Sequence, residues 1–408
     1  MAVMLHCSNI AVNVAFPRPR PAILKLLDHL LGRHKTVQPP QPTLSTARIA
    51  TIIDDALAAA GLDRNSPQGG GIAAVIDDAL TRAGLRNPGI APGIAHGTAA
   101  SPGAPLVRAI PEAAPPATPA APAHGQFLSR SLACDAGTLA YKVYVPVGYD
   151  AEPAQRFPLV VMLHGCTQSP DDFAAGTRMN ALADQHGVLV AYPAQSANAN
   201  GSRCWNWFRP QDQVRGRGEP ALIAEMAAQV GAQYRVDTAR IYVAGLSAGG
   251  AMAVILGETY PDVFAAVGAH SGLPYRAAHD VGSAFAAMKG GAARNAHGGA
   301  QAPVPTIVFH GDRDTTVAAA NGAAIVAQRV SATAAALDTS EHAGTASGGR
   351  SYACTRYAEP SGRSLIEDWR VQGGGHAWMG GSASGTYTDP QGPDASVEML
   401  RFFLQHTR

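Results

Sequence analysis

From about residue 139 onwards the chain is built of short apolar runs separated by longer helical stretches. Arg156–Leu163 (RFPLVVML), Gly187–Pro193 (GVLVAYP), Ile241–Leu246 (IYVAGL) and Pro303–Phe309 (PVPTIVF) are nearly unbroken apolar segments of strand length. Such runs predict strands buried on both faces of a parallel sheet. Leu139–Val145 (LAYKVYV) alternates instead, which predicts an early edge strand, and Ser364–Val371 (SLIEDWRV) reads as a last strand. Ala221–Val230 predicts a helix ahead of the Ile241 strand, and the alanine-rich stretch after Ser247 predicts another behind it. Strands alternating with helices predict an α/β fold, a mostly parallel sheet with helices on both faces.

The first 124 residues are of a different character. Pro21–Leu31 is a short apolar helix candidate that starts on proline and stops at Gly32. Ile49–Leu62 (IATIIDDALAAAGL) is then repeated as Ile72–Leu85 (IAAVIDDALTRAGL). Each copy predicts a short amphipathic helix ended by glycine, and helices this short need tertiary packing to persist. Residues 1–85 are therefore expected to form a helical or mobile arm that could pair, dock or attach to a hydrophobic surface. Residues 86–124 are rich in Pro, Ala and Gly and predict a linker. The catalytic domain is expected over 125–408.

Chemistry concentrates at four places. Gly245-Leu-Ser-Ala-Gly249 lies between a predicted strand and a predicted helix, the setting of a nucleophile elbow. Ser247 is the candidate nucleophile, and the Ala248 amide opens the helix, where N–H groups favour negative charge. A serine hydroxyl needs a base, and the base needs an orienting carboxylate. His310-Gly-Asp-Arg-Asp314 follows the Pro303 strand and offers Asp312 or Asp314, which spacing alone does not separate. Gln372-Gly-Gly-Gly-His376 follows the last strand and offers His376 as general base. His164-Gly-Cys-Thr-Gln168 follows the Arg156 strand, where the loop of an oxyanion hole is expected, with Cys166 and Ala248 amides as donors and His164 as a loop support.

Taken together, HGCTQ (164–168), RCWNWF (203–208), GEPALI (218–223), GLSAGGAM (245–252), HSGLPY (270–275), HGDRDTTV (310–317) and GGGHAWMGG (373–381) resemble the polyhydroxybutyrate (PHB) depolymerase family of esterases over about residues 125–408. The resemblance implies an α/β-hydrolase fold, a Ser247–Asp314–His376 triad, Cys166 in the oxyanion loop and hydrolysis of poly(3-hydroxybutyrate) or other short-chain polyhydroxyalkanoate esters and oligomers. The same broad group includes feruloyl and acetylxylan esterases, which keeps a carbohydrate esterase as the alternative. A granule- or surface-binding protein that works through its N-terminal helices is the non-enzymatic alternative.

Composition narrows the partners. A formal charge of +1 gives no sign of nucleic-acid binding. No apolar run is long enough for a transmembrane helix, and no zinc spacing or phosphate-binding glycine loop implies a cofactor or metal. The expected partner is an ester or polyester, with a PHB granule surface as a further candidate. Met1–Phe16 lacks basic residues and is interrupted by His6, Asn9 and Asn13, unlike a secretory signal. A cytoplasmic or granule-associated location is expected, with secretion, as in secreted family members, as the alternative. Of five cysteines, Cys166 and Cys204 follow neighbouring predicted strands. A disulfide between them would stabilise the fold by about 4 kcal/mol. Two thiols in a reducing compartment are the alternative. Trp205, Trp207 and Trp378 are candidate substrate walls, with core packing as the alternative for each. Arg217 and Glu219 are read as a rim ion pair.

Overall fold

The apolar runs become the centre of a ten-stranded sheet. The computed structural model describes residues 125–151, 153–290 and 303–408. The arm over 1–85, its repeated helices and the linker over 86–124 lie outside the described residues. Six strands run parallel through the middle: β3 (Phe157–Leu163), β4 (Leu189–Ala194), β5 (Val236–Leu246), β6 (Ala266–His270), β7 (Thr306–Gly311) and β10 (Ser364–Val371). With β1 (Gln126–Cys134), β2 (Gly137–Val145), β8 (Asp338–Thr345) and β9 (Ser351–Ala358), the order across the sheet is β1-β2-β4-β3-β5-β6-β7-β10-β9-β8. The two outer strands at either side are antiparallel to their inner neighbours.

Two expectations change. Leu139–Val145 lies within β2, which is covered by β1 along its whole length and is not an edge. Ser364–Val371 is the last strand in the chain to join the large sheet, yet it lies inside that sheet because β9 and β8 continue beyond it.

Every residue of β3 is buried, as a strand covered on both faces requires. Alternation divides it between two cores. Leu159, Val161 and Leu163 pack with Ile223 and Met226 of α3 (Gly218–Gln233), Met252 of α4 (Ala248–Thr259) and Ile325 of α6 (Ala320–Ala332). Val160 and Met162 pack with Phe173 of α1 (Pro170–Thr177), Met179 of α2 (Met179–His186) and Met399 and Phe403 of α7 (Ala395–Phe403). The remaining helix, α5 (Val281–Gly290), sets Ala284 and Ala287 against the first core. The parallel strands all point one way, so their C-terminal ends gather the loops that carry the candidate residues.

Candidate active site

Ser247 joins β5 to α4 with φ 58° and ψ −118°. Such a conformation costs a non-glycine residue about 1–3 kcal/mol and needs its surroundings to hold it. Here the Ser247 amide donates to the His270 carbonyl at 2.9 Å, and the Ser247 carbonyl accepts from the Ala251 amide at 2.9 Å. The turn is this tight because backbones touch. A Cβ on Gly249 would stand 2.1 Å from the Leu163 carbonyl oxygen.

The loops after β7 and β10 are bonded to each other. Arg313 N–H donates to Gly374 O at 3.0 Å, and the Gly373 amide donates to Asp312 Oδ1 at 2.6 Å. Asp312 thus braces the turn, while Asp314 meets the imidazole: His376 Nδ1 donates to Asp314 Oδ2 at 2.8 Å. The other oxygen, Oδ1, accepts from the amides of Thr316 (2.9 Å) and Val317 (2.8 Å). His310 Nε2 donates to Val317 O at 2.8 Å and lies 3.4 Å from Asp314 Oδ2. Burial alone would raise the Asp314 pKa, but His310, His376 and the Val317 amide outweigh it and hold the carboxyl well below the usual range. The buried group therefore stays ionised and holds a proton on His376 Nδ1, which turns Nε2 away from the carboxylate.

After β3, His164 Nδ1 donates to Gly165 O at 2.7 Å and Nε2 accepts from the Gln195 amide at 3.1 Å. Burial lowers its pKa, so the ring is neutral and acts as a brace. The Gly165 amide donates to Gln168 Oε1, the Gln168 amide to Gly165 O and the Thr167 amide to Ser202 O. No acceptor among the described residues takes the Cys166 amide. The Ala248 amide lies in the first turn of α4, where helical N–H groups have no intrahelical partner. Cys166 is joined to Cys204 by a disulfide.

The tryptophans are not where the sequence suggested. Trp378 and Trp205 are each 1% exposed. The Trp378 indole N–H donates to Ser396 Oγ at 3.0 Å and that of Trp205 to His164 O at 3.1 Å. Both are core residues that brace the site from behind, with no face to offer a substrate. Trp207, 6% exposed, packs edge-on to Phe208. Glu219 makes no rim pair. It is buried, and its carboxylate accepts from the Asn206 amide (2.6 Å), Asn206 Nδ2 (2.5 Å) and Gln195 Nε2 (2.5 Å). Burial and the nearby Asp212 push its pKa up to about 7.

His270, which no sequence motif marks as a bridge, holds the site together. Its ring stacks on Phe309 and Trp378, and its Nε2 accepts from the Met379 amide at 3.0 Å. Its carbonyl meanwhile accepts from Ser247. One buried residue thus ties the elbow to the segment just beyond His376. Among the described residues no group of three or more His, Cys, Asp or Glu side chains gathers as a metal site, and no helix is long and apolar enough to cross a membrane.

Comparison with known proteins gives the family and the fold. Poly(3-hydroxyalkanoate) depolymerase C of Paucimonas lemoignei is 36% identical over 265 residues, 62% of this chain and 60% of that protein. Feruloyl esterase B of Neurospora crassa is 37% identical over 133 residues, 32% of this chain and 43% of that protein. The alignments thus span less than two thirds of these relatives. An acetyl xylan esterase structure from Aspergillus awamori shares the fold with a TM-score of 0.54 at 18% identity, covering 69% of this chain and all of that one. The family described as Esterase PHB depolymerase matches residues 139–348. That match covers more than half of the chain, which belongs to the Esterase PHB depolymerase family.

Proposed function

We propose that the protein is a serine esterase that hydrolyses short-chain poly(3-hydroxyalkanoate), poly(3-hydroxybutyrate) above all, or its oligomers. The observation that carries the chemistry is the 2.8 Å bond from His376 Nδ1 to the buried Asp314 carboxylate, which frees Nε2 to act as a base. His376 Nε2 takes the Ser247 proton as Oγ attacks the ester carbonyl carbon. The carbonyl oxygen becomes an oxyanion held by the Cys166 and Ala248 amides, each such donor being worth about 10²–10³ in rate. The C–O bond of the ester breaks, and His376 returns the proton to the departing alcohol. Water then attacks the acyl-Ser247 ester by the same route, releasing the carboxylic acid.

Similarity to a poly(3-hydroxyalkanoate) depolymerase over 62% of the chain supports the polyester reading. The test is acid release from amorphous poly(3-hydroxybutyrate) by wild type and Ser247→Ala. Release that vanishes in the variant is expected, and no release by an enzyme that still cleaves a simple butyrate ester would discard the polymer. Similarity to Feruloyl esterase B and Acetylxylan esterase A favours a second reading, a carbohydrate esterase. It predicts cleavage of methyl ferulate or acetylated xylan and none of the polyester. The Cys166–Cys204 bond supports an oxidising compartment. Attachment of residues 1–85 to a polyester granule is a separate proposal. It predicts that deleting residues 1–124 abolishes co-sedimentation with granules, while Ser247→Ala leaves it intact.

A further inference from the structure

With Trp205 and Trp378 buried, the mouth of the site needs another apolar surface, and one residue stands there. Tyr387 lies in the segment between β11 (Trp378–Met379) and β12 (Thr388–Asp389), and ten residues separate it from His376 as the chain turns back. Its carbonyl accepts from the Trp378 amide at 2.7 Å, which fixes it two residues beyond His376. Its hydroxyl lies 3.2 Å from Thr167 Oγ1, one residue beyond Cys166. Thr167 spends its only hydroxyl proton on the Cys166 carbonyl, so Tyr387 is the donor in this pair. Tyr387 therefore bridges the loop of the base and the loop of the oxyanion.

Three features set it apart from a packing residue. The side chain belongs to a residue 48% exposed, although it is large and mostly apolar. Its ring stacks on no other aromatic group among the described residues. Its backbone has φ 51°, a left-handed conformation that bulky residues seldom adopt, and Thr167, its hydroxyl partner, has φ 67°. The surrounding segment is held firmly. Asp172 of α1 accepts from the Thr386 amide (2.9 Å) and hydroxyl (2.6 Å), and Gln168 Nε2 donates to Thr386 O at 3.1 Å. Gly385 packs so closely on α1 that a Cβ there would lie 2.5 Å from the Gly176 amide nitrogen. An exposed ring on a rigid, strained mount is a preformed contact surface, not a loose loop tip.

The geometry points to Tyr387, bonded to Thr167 next to Cys166, as the aromatic face of a subsite for the hydroxyalkanoate unit next to the scissile ester. The assignment rests on the polyester reading above. A methyl-bearing repeat unit is flat enough on one side to lie along a ring, and the ring loses little freedom in receiving it. The hydroxyl bond to Thr167 sets the ring's tilt, and the ring makes the contact.

The test compares kcat/KM on the 3-hydroxybutyrate trimer with kcat/KM on p-nitrophenyl acetate, for wild type, Tyr387→Ala and Tyr387→Phe, with thermal unfolding as a check on folding. Tyr387→Ala is expected to lower the trimer-to-acetate ratio about tenfold, mainly through KM. Tyr387→Phe, which keeps the ring, is expected to retain most of the ratio. An unchanged ratio in Tyr387→Ala, or a loss in Tyr387→Phe as large as in Tyr387→Ala, overturns the subsite and leaves the polyester reading standing. Wild type that cleaves the acetate but not the trimer overturns the polyester reading itself, and the occupant assigned to the subsite with it.

Discussion

Replacing Asp314 with asparagine exchanges one carboxylate oxygen for an NH2 group and leaves the side chain's shape almost unchanged. The surroundings decide which way the amide must lie. Two backbone amides, Thr316 at 2.9 Å and Val317 at 2.8 Å, donate to one position, so the asparagine oxygen has to stay there. The NH2 group then faces His376 Nδ1 at about the 2.8 Å of the present bond. Two donors cannot share that contact, so the imidazole gives up its Nδ1 proton and carries it on Nε2. An imidazole protonated on Nε2 cannot accept the Ser247 proton. It also loses the carboxylate that stabilises the imidazolium in the transition state. A tautomer reversal of this kind lowers kcat about 10⁴-fold in serine hydrolases, or about 5.5 kcal/mol of barrier. Asp312→Asn is the control. Its oxygen can still accept from Gly373, and a loss of less than about tenfold is expected. The assay is steady-state hydrolysis of p-nitrophenyl butyrate, with circular dichroism to establish folding. Asp314→Asn that keeps more than about a tenth of wild-type kcat, or Asp312→Asn that loses more than Asp314→Asn, refutes the tautomer argument.

Three further outcomes follow from the same contacts. Reduction of Cys166–Cys204, or Cys204→Ser, releases the loop that carries the Cys166 amide. Unfolding stability is expected to drop by about 2–4 kcal/mol and kcat to fall with it, read by denaturant titration with and without a phosphine reductant. Stability unchanged on verified reduction would contradict this. Glu219, pushed up to about 7, keeps a proton in the native state that an unfolded glutamate has lost above about 4.3. Native stability should therefore decline as pH rises from about 4 to about 7 and level off above, by about 4 kcal/mol in all, and Glu219→Gln should remove that slope. Parallel pH profiles for wild type and variant would refute the assignment. Trp378→Phe removes the bond to Ser396 from the core. It should lower unfolding stability by about 1–3 kcal/mol and leave KM for short esters within about twofold. A large rise in KM without loss of stability would return Trp378 to the substrate wall.

The parts of the site that the sequence revealed are those whose chemistry is local. Gly245-Leu-Ser-Ala-Gly249 is legible because strand, turn and helix follow within a few residues, and the close approach of Gly249 to Leu163 permits no larger residue. His376 is legible through the glycines before it. Asp312 and Asp314 are two residues apart on one loop, and only the three-dimensional path of that loop aims one at His376 and the other at the Gly373 amide. Trp205 and Trp378 misled because nearness in sequence to Cys204 and His376 says nothing about which way an indole points. Their partners, His164 and Ser396, come from elsewhere in the chain. Likewise β1 and β8 have mostly exposed side chains and no apolar period to announce them. They are strands because β2 and β9 offer them partners. Nothing in the spacing of Thr167 and Tyr387, 220 residues apart, hints at their contact.

The proposed mechanism requires that Ser247 receive the acyl group. The most direct measurement is intact-protein and peptide mass spectrometry after treatment with a fluorophosphonate, an analogue of the tetrahedral intermediate. One adduct is predicted, on the peptide carrying Ser247, absent from Ser247→Ala and slowed strongly in His376→Ala. An adduct on another serine, or an enzyme still fully active once Ser247 is labelled, would contradict the account.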